Sequence, residues 1–205
     1  MKKSIITIAK IFLIITSVKA LAVDINITKN LTSITAKERG DTVIIKRVQK
    51  SNSELNHEFM NISQECPPYC IQPINIGNVK TVGELEVLNF IKEMKDNSNT
   101  LLIDARSRDW AKKGTIPTAI NLPFTMLQKN GKYIEKILKL LGGTKTDKKW
   151  NFYDAQTLLI FSNGAWDEDA TTEIKNLVEM GYPEDKILYY RGGMQMWNYV
   201  GLTIK

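Results

Sequence analysis

Three places in this 205-residue chain gather residue types that can do chemistry. The first is the stretch Ser162-Asn163-Gly164-Ala165-Trp166-Asp167. It follows an apolar run at 158–161 and precedes a helical pattern at 168–180. A loop that feeds a helix N-terminus aims backbone N–H groups at one spot, and the helix dipole adds positive potential there. Such a spot suits a thiolate nucleophile, but its head is Ser162 and the loop holds no cysteine. Serine attacks acyl groups only with a base within hydrogen-bond reach. The single histidine, His57, belongs to a different segment, and the G-x-S-x-G elbow is absent. The second place is Cys66-Pro67-Pro68-Tyr69-Cys70, which holds both cysteines. The third is Asp104 with Arg106 at the polar end of a short apolar strand, where they could orient the loop, hold an anion, or simply pair with each other.

The two cysteines admit three readings. A disulfide would close a five-residue loop, for which chain entropy gives only ~2 kcal/mol, and less once the prolines have stiffened the unfolded chain. A redox-active pair is the second reading. The third is a soft-metal site, for example for Cu(I), with His57 as a further ligand. An exported chain favours the disulfide.

Asp167, Glu168 and Asp169 crowd the first turn of the helix that follows the loop. Acids here stabilise a helix by about 0.3–1 kcal/mol each, so solvent-facing caps are their ordinary reading. They also oppose an anionic ligand: unit charges ~6 Å apart at an effective dielectric of 20 repel by about 3 kcal/mol. Trp166 suits either recognition at the loop tip or packing, and Trp197 suits the core.

The elements that must position these groups alternate. Thr81-x-x-Glu84 reads as a capping box, with Leu85, Leu88 and Ile91 on one face of the helix it opens. A strand at 101–106, a short strand at 119–123 and a helix at 133–141 follow. Then come the strand at 158–161 and the helix at 168–180, with Ile174, Leu177 and Val178 inward and Gly181 and Pro183 as its stop. A strand at 186–190 and a helix at 194–200 complete the pattern, with Gly192 and Gly193 needed for the turn between them. Alternation of this kind predicts an α/β fold, a parallel sheet with helices on both faces. Ligands of such sheets lie at the carboxyl ends of strands, where Asp104, Arg106 and Ser162 all fall. Upstream, 33–37 and 42–47 alternate about Glu38-Arg39-Gly40-Asp41, which predicts a hairpin. Its Arg39-Gly40-Asp41 triplet is read as the turn and not as an adhesion signal.

Lys2 and Lys3, an apolar stretch at 5–18 and Ala20-Leu21-Ala22 read as a signal peptide cleaved after Ala22. Lys10 and Lys19 bracket too few apolar residues for a membrane span, which needs about 20. Four of the formal +6 charges are Lys2, Lys3, Lys10 and Lys19, so the chain from 23 onward carries +2. That leaves no case for nucleic-acid binding. At 43% hydrophobic and 24% charged the composition is globular. The expected organisation is a signal at 1–22, a small hairpin module at 23–78 that includes the cysteine segment, and an α/β domain at 79–205. Location is expected to be periplasmic or secreted, with membrane contact only during export, and no cofactor is expected.

Roughly residues 79–204 resemble the rhodanese-like (sulfurtransferase) family. Ile103-Asp104-Ala105-Arg106, continuing through Trp110 to Gly114-Thr115-Ile116-Pro117-Thr118-Ala119, looks like its first signature, a strand ending I-D-x-R and then G-H-I-P-G-A. The Ser162 loop stands in the place of the sulfur-carrying loop. Arg191-Gly192-Gly193 with Trp197 looks like the closing signature, and Cys66–Pro73 looks like the leader of some exported members. The resemblance implies chemistry in which a loop cysteine takes sulfane sulfur from a donor such as thiosulfate and passes it to an acceptor. Ser162 occupies that cysteine's position and cannot form a persulfide. The phosphatases of this fold need a loop cysteine and a loop-closing arginine, and neither is present. The expectation is therefore a binding or accessory module that is inactive at the loop. Its partner would be a protein, or a small anion or sulfur compound. The alternative is a sulfur-transfer or thiol-redox protein that uses Cys66 and Cys70.

Overall fold

A computed structural model describes residues 25–50, 52–55, 57–60, 65–128, 131–147 and 149–205. The signal-peptide stretch lies outside the described residues. Among those described, no helix is long and apolar enough to cross a membrane.

The first strands among the described residues form an antiparallel hairpin, β1 (Ser33–Glu38) and β2 (Asp41–Lys46), in which Glu38 pairs with Asp41. Arg39 and Gly40 both take positive φ, 49° and 95°, the geometry of a tight two-residue hairpin turn. Two-residue β3 (Lys80–Thr81) and helix α1 (Glu84–Glu93) open the sheet domain. Strand β4 (Thr100–Asp104), short helix α2 (Arg108–Lys112) and β5 (Ile120–Asn121) follow. Helix α3 (Ile134–Leu140) leads to a small hairpin of β6 (Thr144–Thr146) and β7 (Lys149–Asn151). Strand β8 (Thr157–Phe161), helix α4 (Asp169–Glu179), strand β9 (Ile187–Tyr190) and helix α5 (Gly193–Tyr199) close the chain.

The central sheet has the order β3-β9-β8-β4-β5, and each of its pairings is parallel. The centres of its middle strands are apolar, as those of strands covered on both faces must be. One face packs Ile103, Ile160, Leu158 and Tyr189 against Leu138 of α3 and Ile174 and Leu177 of α4. The other packs Leu102, Leu159 and Phe161 against Val87, Leu88 and Ile91 of α1 and Trp197 of α5. Ile34, Ala36 and Ile45 of the first hairpin are buried in this second cluster. The Thr203 N–H donates to the Lys46 carbonyl oxygen, and the Thr203 hydroxyl bonds the Lys46 backbone, tying that hairpin to the C-terminal segment.

The helix start at α1 differs from the sequence expectation. Thr81 lies in β3, paired with Tyr189, and its hydroxyl donates to the Ile74 carbonyl oxygen. The cap is Gly83, whose N–H donates to the Glu86 carboxylate at 3.0 Å. The two-residue shift turns Leu85 outward (47% exposed) and buries Val87 and Phe90 beside Leu88 and Ile91. Strand pairing claimed Thr81 before it could cap. The β6–β7 hairpin was not foreseen, because its three-residue strands are too short to show a period.

Candidate functional site

Register determines where the chemistry collects. Asp104 of β4 lies opposite Phe161 of β8, which lies opposite Tyr190 of β9. The three strands thus end together, and Ala105-Arg106, Ser162-Asn163 and Arg191-Gly192 leave the sheet side by side.

Arg106 and Asp104 form a buried bidentate pair, Nε to Oδ1 at 2.8 Å and NH2 to Oδ2 at 2.7 Å. They are 1% and 0% exposed. Two of the three remaining N–H donors of Arg106 are also engaged. NH2 also donates to the Gly114 carbonyl oxygen at 2.7 Å, and NH1 donates to Asn163 Oδ1 at 3.2 Å. Thr115 Oγ1 donates to Asp104 Oδ2 at 2.7 Å. A guanidinium that is buried, with its fork filled by Asp104 and all three nitrogens bonded, is not open to a substrate anion from solvent. Arg106 therefore works as a brace that carries the side chain of Asn163.

The loop closes on itself. Ser162, Asn163 and Asp167 are each buried. The Ser162 hydroxyl donates to the Asp167 carbonyl oxygen at 3.3 Å, and a carbonyl cannot serve as its base. The carboxylate of Asp167 accepts the N–H of Asn163 on Oδ2 at 2.9 Å and the N–H of Asp169 on Oδ1 at 3.1 Å. It thus takes loop and first-turn amides that an anion-binding loop would offer to a ligand. Of the three acids read as solvent-facing caps, only Glu168 is fully exposed. Asp167 turned inward because two backbone donors wait there.

Behind the loop, the α5 N-terminus approaches very closely. Met194 N–H donates to the Ser162 carbonyl oxygen at 3.0 Å, and Gln195 N–H to that of Asn163 at 2.8 Å. Gly193 makes this possible. Its φ is +55°, and a Cβ there would sit 2.4 Å from the Ser162 carbonyl oxygen. Trp166 is half-buried, and its indole N–H donates to Gln195 Oε1 at 2.9 Å. Trp197 is fully buried, as a core residue should be.

The segment at 65–74, which carries the leader-like motif, forms a strap on the loop. Cys66 and Cys70 are joined as a disulfide. Tyr69 sets its ring edge-on to Trp166, with centroids 5.5 Å apart. Gln72 then docks the strap. Its N–H donates to the Ala165 carbonyl oxygen at 2.7 Å, and its carbonyl oxygen accepts from Arg191 Nε at 3.0 Å and NH2 at 2.8 Å. Its side-chain oxygen accepts from Thr171 Oγ1 at 2.8 Å, and Nε2 donates to the Cys70 carbonyl oxygen at 2.8 Å. Gln72 gave no warning of this role in the sequence, because a docked irregular segment has no period, whereas Arg191 belongs to the closing signature. His57 lies in an exposed turn and the cysteine sulfurs are bonded to each other. Among the described residues, no group of three or more His, Cys, Asp or Glu could hold a metal ion.

Beneath the loop, α4 carries Glu173, fully buried with neither carboxylate oxygen hydrogen-bonded among the described residues. Burial pushes its carboxyl well above the ordinary range, and Asp104 and Asp169 add to the effect. Asp169 is raised from the usual 3.8 to about 8, first by burial and then by the charge of Asp167. Glu173 was findable, because it stands between Ala170 and Leu177 on the inward stripe of α4.

Residues 88–199 match the profile of the rhodanese-like domain family. Among solved structures, a human single-domain sulfurtransferase is 22% identical, with 58% of this chain and 96% of that chain covered and a TM-score of 0.40. A single-domain sulfurtransferase from Saccharomyces cerevisiae is 20% identical, covering 60% of this chain and 91% of its own, with a TM-score of 0.42. A Rhodopseudomonas palustris protein described as a possible tyrosine phosphatase is 19% identical, with 62% and 85% covered and a TM-score of 0.41. No curated protein gives a significant match.

Proposed function

The chain belongs to the rhodanese-like domain family, and from that premise we propose that it is an exported member whose loop no longer transfers sulfur and serves as a binding or accessory module. The observation that carries this reading is the Asp167 carboxylate on the N–H groups of Asn163 and Asp169. The loss is then twofold. Ser162 supplies no thiolate, and the chain's own anion occupies amides that would stabilise one. A carboxylate in two charge-assisted hydrogen bonds is not displaced by a weakly held solute anion. A second anion ~6 Å away would meet about 3 kcal/mol of repulsion, roughly a hundredfold in affinity. Export is supported by the pattern of residues 1–22 and by a disulfide of the kind that persists in oxidising compartments.

The test is a thiosulfate–cyanide assay read by thiocyanate release, with mass spectrometry to detect one added sulfur atom. The native protein is expected to show neither. Ser162→Cys alone is expected to stay at background, and Ser162→Cys with Asp167→Gly to acquire the sulfur adduct. Turnover by the native chain would overturn the reading. Equal loading of the single and double variants would remove Asp167 from it.

A further inference from the structure

The strap at 65–74 combines one firmly docked residue with one accessible covalent bond. Gln72 is buried, and each of its polar groups has a partner: Ala165, Arg191, Thr171 or Cys70. The disulfide is different. Cys66 is exposed to solvent and Cys70 only half-buried. Access to a sulfur is the first requirement for thiol–disulfide exchange, and exposed disulfides are the reducible ones. The bond also bears on the docking. It fixes Cys70, whose carbonyl oxygen receives Gln72 Nε2, and it closes the turn that sets Tyr69 against Trp166. Along the same stretch Ile71 and Ile74 are 84% and 62% exposed, apolar side chains beside a reducible bond.

We propose that Cys66–Cys70 is a thiol–disulfide exchange site for a dithiol, and that its reduction frees the strap from the Ser162 loop. A thiolate of the dithiol attacks Sγ of Cys66, the more exposed of the two residues. The Cys66–Cys70 bond breaks, and Cys70 leaves as a thiolate that takes a proton. The second thiol of the reductant then attacks its own sulfur in the mixed disulfide and releases Cys66. Two electrons pass to the protein, and the dithiol becomes a disulfide. With the turn open, Tyr69 and the Cys70 carbonyl lose their fixed places, and Gln72 gives up the Ala165 carbonyl. The exchange stands whether or not the loop transfers sulfur, so it can fail or succeed independently of the loop chemistry.

The experiment uses the full exported chain with its disulfide intact, under native conditions. One arm adds dithiothreitol and another adds a thioredoxin-type dithiol protein at equal thiol concentration. Free thiols are trapped with maleimide and counted by mass spectrometry, and hydrogen exchange is followed in parallel. Two thiols per chain should appear while circular dichroism is unchanged. Exchange at Gln72 should accelerate about tenfold or more, with β8 and α5 unaffected. Faster reduction by the protein dithiol would identify a protein as the reductant, and equal rates a small dithiol. Cys66→Ser with Cys70→Ser should exchange quickly without any reductant. Thiols that appear only in denaturant would overturn the proposal. So would a double serine variant as protected at Gln72 as the oxidised chain.

Discussion

The Ser162 loop and the strap at 65–74 touch each other, yet they handle reactive groups in opposite ways. In the loop everything is inward. The Ser162 hydroxyl, the Asp167 carboxylate and the Arg106 guanidinium are buried, and each is bonded to another part of the same chain. In the strap the bulk of the side chains face out, and the disulfide is reached from solvent. A buried group already satisfied by the protein is inert because a ligand must replace bonds of equal quality. An exposed one is available because its only competitor is water. The difference places the enclosed groups in the region matched by the family profile and the accessible ones in a segment outside it.

The contrast can be broken most severely at Arg106. Arg106→Met leaves Asp104 buried without its counter-charge, and loss of one partner of a buried pair costs about 3–5 kcal/mol. The urea midpoint should fall accordingly, and amide protection at Asn163 should fall with it. No such loss is expected from changes at exposed strap residues such as Ile71.

Gly193→Ala strikes the same loop from behind. The new methyl would overlap the Ser162 carbonyl oxygen and hold a positive φ. A cost of about 1–3 kcal/mol is expected, readable by thermal unfolding, with the strap disulfide still formed.

The buried acids give the loop a pH dependence that the strap lacks. Asp169 and Glu173 both titrate higher in the folded chain than in the unfolded one. Their protonated forms therefore favour folding. Stability is greatest below the ordinary carboxylate range and is lost as pH rises toward about 8, where Asp169 ionises in the fold. Glu173→Gln removes its share. The variant should match the native chain at pH 5 and melt several degrees higher at pH 8, with a flatter curve between. A native chain whose melting temperature rises from pH 5 to pH 8 would contradict this assignment.

The smallest effect sharpens the boundary between the two regions. Gln72→Ala removes the side-chain bonds to Thr171 and Cys70 and leaves the backbone bonds to Ala165 and Arg191. About 0.5–1.5 kcal/mol should be lost. Hydrogen exchange should report it at the strap before the core.

Much of this molecule was legible in its residues. Alternating apolar runs and helical stripes specify a parallel α/β sheet, because burial on two faces leaves few other ways to cover such strands. The positions of Asp104, Arg106 and Ser162 at strand ends followed from the same pattern. So did the Arg39-Gly40 turn and the need for Gly193. The misplaced cap at Thr81 shows the limit, since a strand pairing with β9 more than a hundred residues away decided that residue's role. The acids after the loop show it again. Their identity and spacing fit three solvent-facing caps, and only the fold turned Asp167 inward onto the amides of Asn163 and Asp169. The sequence by itself determined that the loop at 162–167 carries no cysteine and that three acids stand at 167–169. Tertiary structure alone decided that the loop's amides are filled by Asp167, that Glu173 is buried without a partner, and that Gln72 lays an exposed disulfide against the loop. The last two depend on contacts between segments far apart in the chain, and the local preferences of a residue carry no information about a neighbour that only folding brings; the first is local in sequence, but it is one of several roles that an acid in a first turn can take.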